Sequence, residues 1–486
     1  YGYNRRNRSS SPVDFTNTYP LITGEGSDYI SRGQSLRSTN IRFASLFANA
    51  AYTYDSRYTL SGSIRRDGSN LFGLKTNDQW NPFWFAGAAW NISNESFFQS
   101  AWINNLKLRS SYGFSGNIDP AMVAATTIIY DSFNSVYTGT GMARISQFYN
   151  PDLRWETSAV TNIGLDFTLW KGRVTGSAEW FIKKGSNLFG NAPLDYTTGL
   201  TSMLMNVASM KGNGWDIQLN TRNTRIGNFS WNSLLNFSIY KDKVTEYYNP
   251  NKFASAYVSS SGQAVPIAGI TGLPVYSVFA YRWAGLDPQT GDPRGYLNGE
   301  ISNNYTAITG SDKGIEDLKF FGSALPTTYG SFINTFSFKN LSMDVGLTYK
   351  LGYWFRRSSI SYTNLISSRS GHADYAQRWQ NPGDELHTNI PSNLYTTNSA
   401  RDLFYLGSEV LVEKGDHIRL QYINLNFEPA ASWMNIPLKN LVFFGSVNNI
   451  GVIWRANRQQ LDPDYAFGSE SLKPALTYSF GFRVKF

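Results

Sequence analysis

The 486-residue chain has no cysteine, only three histidines, and no apolar run of the ~18 residues that a membrane-crossing helix needs. The missing cysteines exclude a disulfide scaffold and suit a chain that crosses an oxidising compartment without staples. The few histidines (His372, His387 and His417) come with no Gly-x-Ser-x-Gly elbow and no His-Glu-x-x-His pair, so no constellation for hydrolysis is present. No metal set and no cofactor motif is present either. Residues 1–11 carry three Arg in a polar run and lack the apolar stretch of a secretion signal, so the chain is expected to begin inside a longer polypeptide. Charge is modest at 16% of residues, and the net +8 is spread over strand interiors and loops (Arg65, Lys107, Arg109, Lys350, Arg483). Without a basic stripe or a known module, this balance argues against nucleic acid.

What the chain does have is aromatics, 30 Tyr, 32 Phe and 14 Trp, with 42 Gly. Mean hydropathy is −0.33, and the longest apolar run, 83–90, is strand-sized. The carboxyl-terminal stretch 476–486 alternates without a break. Leu476, Tyr478, Phe480, Phe482, Val484 and Phe486 fall on one strand face; Thr477, Ser479, Gly481, Arg483 and Lys485 fall on the other. A soluble sheet can alternate in this way, but a greasy strand that closes the chain and recurs throughout is the unit of an outer-membrane barrel. Tyr478, Phe480, Phe482, Val484 and Phe486 also resemble the terminal signal by which bacterial outer-membrane proteins reach their assembly machinery.

Period-two runs bounded by turn residues predict thirteen strands, at 42–54, 57–65, 82–91, 105–114, 157–169, 173–183, 214–220, 229–241, 330–338, 341–351, 417–427, 441–449 and 475–486. Residues 1–4 fit the tail of another. Short turns at 55–56, 170–172, 225–228 and 339–340 alternate with long excursions at 115–156, 185–213, 242–329, 352–416 and 450–474. Short turns on one side and long loops on the other mark a bacterial barrel, with every long excursion outside if residue 486 ends in the periplasm. The strand-like segment 275–284 lies inside an excursion, as an external hairpin or as a spanning strand with an unrecognised partner. The fold class expected is therefore all-β, a transmembrane antiparallel β-barrel of which 13–14 strands are present.

Several blocks carry a family resemblance: Ser45 to Tyr54 with Arg57-Tyr58-Thr59-Leu60 and Arg65-Arg66-Asp67-Gly68-Ser69, and Leu106 to Gly113 with Gly116-Asn117. The most specific is Asn150-Pro151-Asp152-Leu153-Arg154-Trp155-Glu156-Thr157 followed by Asn162-Ile163-Gly164-Leu165-Asp166. Trp283 to Pro288, Thr290 to Pro293, Arg378-Trp379-Gln380-Asn381-Pro382-Gly383-Asp384, Ile418 to Leu425, and Asn448-Asn449 complete the set. In order and spacing these resemble the carboxyl-terminal part of the SusC/RagA-type TonB-dependent outer-membrane transporters of Bacteroidetes. The resemblance implies residues 1–486 of a barrel domain of about 22 strands, with the plug, TonB box and signal peptide lying outside this chain. It further implies a SusD-like surface lipoprotein as lid, the TonB complex as energy source, outer-membrane lipid around the wall, and a glycan or peptide substrate.

Two loop features have a bland and a sharp reading. Asp287-Pro288-Gln289-Thr290-Gly291-Asp292-Pro293 lacks the alternating acids and terminal Glu of a calcium loop and reads as a stiff turn. The loop aromatics Tyr247, Tyr248, Trp354, Phe355, Trp379 and Tyr405 read singly as interfacial girdle or lid contact, and as a group as candidates for touching substrate. Active import is the leading functional reading. A plug-free porin and a soluble β-sandwich binding protein are the alternatives.

Overall fold

The computed structural model describes residues 2–10, 36–69, 80–117, 126–148, 152–195, 202–248, 253–258, 265–429, 439–465 and 473–485, with positions 150, 197 and 199 besides. Fourteen strands form one sheet in chain order, and every pairing is antiparallel. They are β1 (Gly2–Ser10), β2 (Leu36–Tyr54), β3 (Tyr58–Ser69), β4 (Trp80–Asn91), β5 (Ile103–Asn117), β6 (Glu156–Leu169) and β7 (Val174–Pro193). There follow β8 (Ser202–Ile226), β9 (Phe229–Tyr247), β10 (Thr328–Phe338), β11 (Leu341–Leu351), β12 (His417–Phe427), β13 (Lys439–Arg455) and β14 (Thr477–Lys485). All thirteen expected strands are present, and β1 is the fourteenth.

The tight turns sit at one end of the sheet. They are built on left-handed residues, Asp55 (φ 48°) and Ser56 (φ 53°), Trp170 (φ 52°) and Lys171 (φ 56°) before Gly172 (φ 78°), and Gly227 (φ 55°). Two-residue hairpins favour this conformation because its twist matches that of the flanking strands. The long connections leave from the opposite end. One expectation needs correction: 185–213 is mostly not a loop. β7 runs on to Pro193 and β8 starts at Ser202, and the two stay paired beyond the wall as a ribbon. β9 likewise extends to Tyr247. The segment 275–284 is external: Ser277–Tyr281 pairs with Leu318–Ser323 in a separate two-stranded sheet.

Register aligns like faces with like across the wall. Trp180 lies beside Trp215, Trp215 beside Ile239, Val345 beside Ile423, and Val447 beside Tyr478. On the other face Arg109 meets Gly164, Gly164 meets Glu179, Thr348 meets Arg419, and Ser446 meets Ser479. On β14 none of the described residues covers the apolar face: Tyr478 is 61%, Phe482 68% and Phe480 83% exposed. Such a surface is stable only against lipid or another protein. Val484 is half-buried on the same face, and Phe486 lies outside the described residues.

Candidate functional site

The polar face of the wall is cross-linked from strand to strand. Arg109 on β5 forks onto Asp166 of β6, with Nε at 3.0 Å from Oδ2 and Nη2 at 3.0 Å from Oδ1, and Nη2 also reaches Glu179 of β7. Asn162 donates to the second oxygen of Glu179 at 2.9 Å. Alternation supplies this arrangement, since a charge at every second position of adjacent strands falls on one face. Arg65 with Asp67 (2.7 Å), Ser238 with Asp216 (2.6 Å) and Thr335 with Asp344 (2.7 Å) continue the lining.

At the external end of this face the connection after β13 folds back onto the wall. Arg419 Nη2 donates to Asp462 (2.6 Å) and to Asp464 (3.2 Å), and Lys350 Nζ donates to Asp464 at 2.7 Å. The buried His417 ring sets Nε2 3.3 Å from Asp464 and Nδ1 2.9 Å from the Gly415 carbonyl oxygen. Burial alone would raise the Asp464 carboxyl, but the hydrogen bonds from His417 and Lys350 hold it well below the usual carboxylate range.

The two longest connections, between β9 and β10 and between β11 and β12, fold together into a layer with its own core. Phe279, Tyr281, Tyr305 and Leu318 from the first pack on Phe404 from the second. Ile360, Tyr362, Tyr405 and Leu411 form an adjoining cluster, and Trp283 touches both. Its ring stacks on Phe404 at 6.2 Å with an interplanar angle of 14°. Polar bonds cross the same seam. Arg401, 2% exposed, gives Nε to Asp292 at 2.8 Å and Nη2 to the Ser392 carbonyl oxygen at 2.9 Å, and Lys319 pairs with Glu409.

Asp287–Pro293 is the turn of a small hairpin in this layer. Asp287 Oδ1 accepts the amides of Gln289 (2.9 Å) and Thr290 (3.0 Å), and the Trp379 ring covers Gly291 so closely that a Cβ there would lie 2.3 Å from it. Its carboxylates thus serve backbone and Arg401, and among the described residues no group of acids and histidines could hold a metal ion. Asp384 closes the 378–384 block by accepting the amides of Gln380 (2.9 Å) and Asn381 (2.8 Å). In the 150–157 block Asn150 donates to the Leu204 carbonyl at 2.8 Å, while the buried Leu153 and Trp155 pack with Phe83.

The six loop aromatics separate by burial. Tyr248 is 73% exposed; Tyr247 is half-buried beside Gly269; Trp354 is half-buried against Phe321 (5.3 Å), with Lys414 over its ring at 5.4 Å. Phe355, Trp379 and Tyr405 are 2, 7 and 1% exposed, so this arrangement gives them packing contacts and no open face. Burial pushes the Tyr405 phenol up to about 12, and its hydroxyl bonds Ser359 Oγ at 2.8 Å.

One constellation was not anticipated from sequence. Ser358, His372 and Asp374 stand in line, with Ser358 Oγ 3.4 Å from Nε2 and Asp374 Oδ1 3.4 Å from Nδ1. However, the Asp374 amide donates to Nδ1 at 3.1 Å, so the neutral ring carries its proton on Nε2, toward the serine. That tautomer is the reverse of what a general base needs. His372 acts as the N-cap of the turn Ala373–Gln377. Burial would raise the Asp374 carboxyl, yet the hydrogen bonds that Ser359 and Arg357 donate to it hold it well below the usual range.

A wide antiparallel wall with one apolar face open, a polar face cross-linked by charge, tight turns at one end and a folded layer at the other defines an outer-membrane β-barrel wall. The comparisons with known proteins agree. The chain belongs to the TonB dependent receptor-like, beta-barrel family, whose profile matches residues 1–306. Members of this family are outer-membrane proteins of Gram-negative bacteria and receptors or transporters, not enzymes. The TonB-dependent receptor P26 of Formosa agariphila is 29% identical over 461 residues, covering 88% of this chain and 43% of that protein. The TonB-dependent receptor SusC of Bacteroides thetaiotaomicron is 26% identical over 234 residues, covering 46% of this chain and 23% of that protein. The solved structure of the RagAB peptide transporter superposes with a TM-score of 0.74 at 21% identity, covering 97% of this chain and 50% of that one. The chain therefore spans about half the length, or less, of the relatives it matches.

Proposed function

We propose that this chain is the carboxyl-terminal wall of a TonB-dependent importer that takes up oligosaccharides or peptides under a SusD-like lipoprotein lid. The observation that carries the reading is the folded outer layer. A simple pore needs only loops, whereas here two long connections share a buried core and are pinned by Arg401 to Asp292 and by Lys319 to Glu409. Such a rigid platform at the mouth of the wall suits the docking of a second protein. SusC and the RagAB peptide transporter stand among the similar proteins, and the second supports a nutrient of peptide size. The polar wall then lines the path, a plug and TonB box are supplied by the rest of the polypeptide, and the strand face of Tyr478, Phe480, Phe482 and Val484 ending at Phe486 serves as the assembly signal.

Of the loop aromatics, Tyr248 and Trp354 are proposed as lid or substrate contacts, with Phe355, Trp379 and Tyr405 as the scaffold beneath. The test is uptake by cells with and without TonB, together with co-purification of the lipoprotein. Uptake that stops without TonB, and a lipoprotein that stays with the receptor, are expected. Uptake unchanged without TonB in a complex lacking any lid would replace this reading with a passive porin. Tyr248→Ala is expected to weaken capture while shifting stability by no more than about 0.5 kcal/mol, as for other exposed positions.

A further inference from the structure

Five lysines fall close together on three adjacent strands, at the level where the flanking β6 and β10 end externally: Lys183 and Lys184 on β7, Lys211 on β8, and Lys241 and Lys243 on β9. Register sorts them. Lys211 is paired with Lys184 on one side and with Lys243 on the other, so three lysines stand side by side across the sheet. Alternation from Trp180 and Trp215 puts this rung on the apolar, outward face. The next rung inward is Ile182–Asn213–Lys241, and the one after it is Trp180–Trp215–Ile239. Lys183, at the same height, points to the polar face, where it lies over the Phe181 ring at 4.9 Å.

Neighbouring strands are about 4.8 Å apart, and like charges directly opposite each other destabilise a sheet. Among the described residues nothing neutralises them. All three are exposed, and among the described residues no ion pair joins Lys184, Lys211 or Lys243 to a carboxylate. The acids closest along these strands are engaged elsewhere: Glu246 accepts from Ser209 Oγ at 3.2 Å, and Asp242 accepts the Val275 amide at 2.9 Å. The external ends of β10, β11 and β12 carry no such charge on this face, which there presents Gly330, Tyr349 and Ile418.

We propose that Lys184, Lys211 and Lys243 form a binding site for the phosphorylated headgroup of an outer-leaflet lipid. Trp residues settle at the membrane–water interface, so the Trp180–Trp215 rung marks the level of the headgroups and the lysine rung stands just outside it. A lipid places its acyl chains along the apolar rungs below and its phosphates against the three ammonium groups. A soluble anion shares the second contact but not the first. Basic residues at such a surface each contribute appreciably to the binding of anionic lipid.

The experiment is native mass spectrometry of the full-length receptor in zwitterionic detergent, titrated with diphosphoryl lipid A and with its dephosphorylated form. Wild type is expected to retain the phosphorylated lipid selectively. Lys184→Gln/Lys211→Gln/Lys243→Gln together are expected to weaken that binding by about 100-fold, and Lys183→Gln, on the opposite face, to leave it unchanged. Heat-modifiable gel mobility shows that the variants are assembled. Equal binding by wild type and an assembled triple variant overturns the proposal. Complete competition by millimolar inorganic phosphate overturns the lipid as occupant, and so does a triple variant that keeps the lipid but loses a co-purifying lipoprotein.

Discussion

On β14 the aromatics face outward, and at the seam of the outer layer they face inward. Phe480 and Phe482 of β14 are 83 and 68% exposed, whereas Phe404 and Tyr405 are 0 and 1% exposed. The same residue types follow opposite rules a short distance apart because the solvent changes. A strand in lipid hides its backbone groups in the ladder and shows its grease; a loop in water must bury its grease to hold a shape. The difference teaches that a membrane wall and a water-soluble core coexist in one chain, and each is open to a separate attack.

The largest effect is expected in the layer. Phe404→Ala empties the seam shared by Tyr281, Trp283 and Tyr305, and truncation of a buried aromatic costs about 3–5 kcal/mol. Trypsin on intact cells should then cut within 248–327 or 352–416, while the wall keeps its heat-modifiable mobility. Loss of the wall at the same time would show that the two regions are one cooperative unit.

The wall is expected to respond to charge on its outer face alone. Phe480→Arg or Val345→Arg puts a guanidinium into lipid at a cost of about 2–4 kcal/mol and should depress assembly. Ser479→Arg and Thr348→Arg point to the polar side and should be tolerated. Equal assembly of both sets in outer-membrane fractions would erase the distinction between the faces.

The smallest effect is expected from acid. Asp374 and Asp464, outside the wall strands, are both held below the ordinary aspartate value of 3.8. A carboxylate lowered in the folded state stabilises fully above that ordinary value and loses its contribution as pH falls through the lowered one. Protease resistance of the layer and of the 456–465 segment should therefore be flat from neutral pH to about 5 and decline below about 4. A decline between neutral pH and 5 would point to other groups.

The wall was legible in the sequence because a strand carries its own evidence. Alternation at 341–351 and 417–427 predicts β11 and β12 to the residue. Pairing is less local. The ribbon of β7 and β8 lies within the excursion expected at 185–213, where glycines carry no side chain to mark a face; Gly190 and Gly212 sit under Val207 and Tyr240, where a Cβ would clash. The outer layer was legible least. Phe355, Trp379 and Tyr405 gain their burial from contacts far along the chain, and nothing in their immediate neighbours distinguishes them from the exposed Tyr248. The lysine rung had the same obstacle, since each lysine is ordinary by itself and only register sets the three side by side.

The most direct measurement uses the absence of cysteine in this chain, which lets an introduced thiol report from one place within it. Cysteine replaces Tyr478, Ser479, Phe480, Gly481 and Phe482 of β14, and the exposed Leu386 in the layer, one at a time, each carrying an environment-sensitive fluorophore in receptor reconstituted with brominated lipid. Quenching is predicted to alternate, strong at 478, 480 and 482 and weak at 479 and 481, with none at 386. Quenching that is uniform along β14, or strongest at 479 and 481, would contradict an inside-out wall carrying a water-soluble layer.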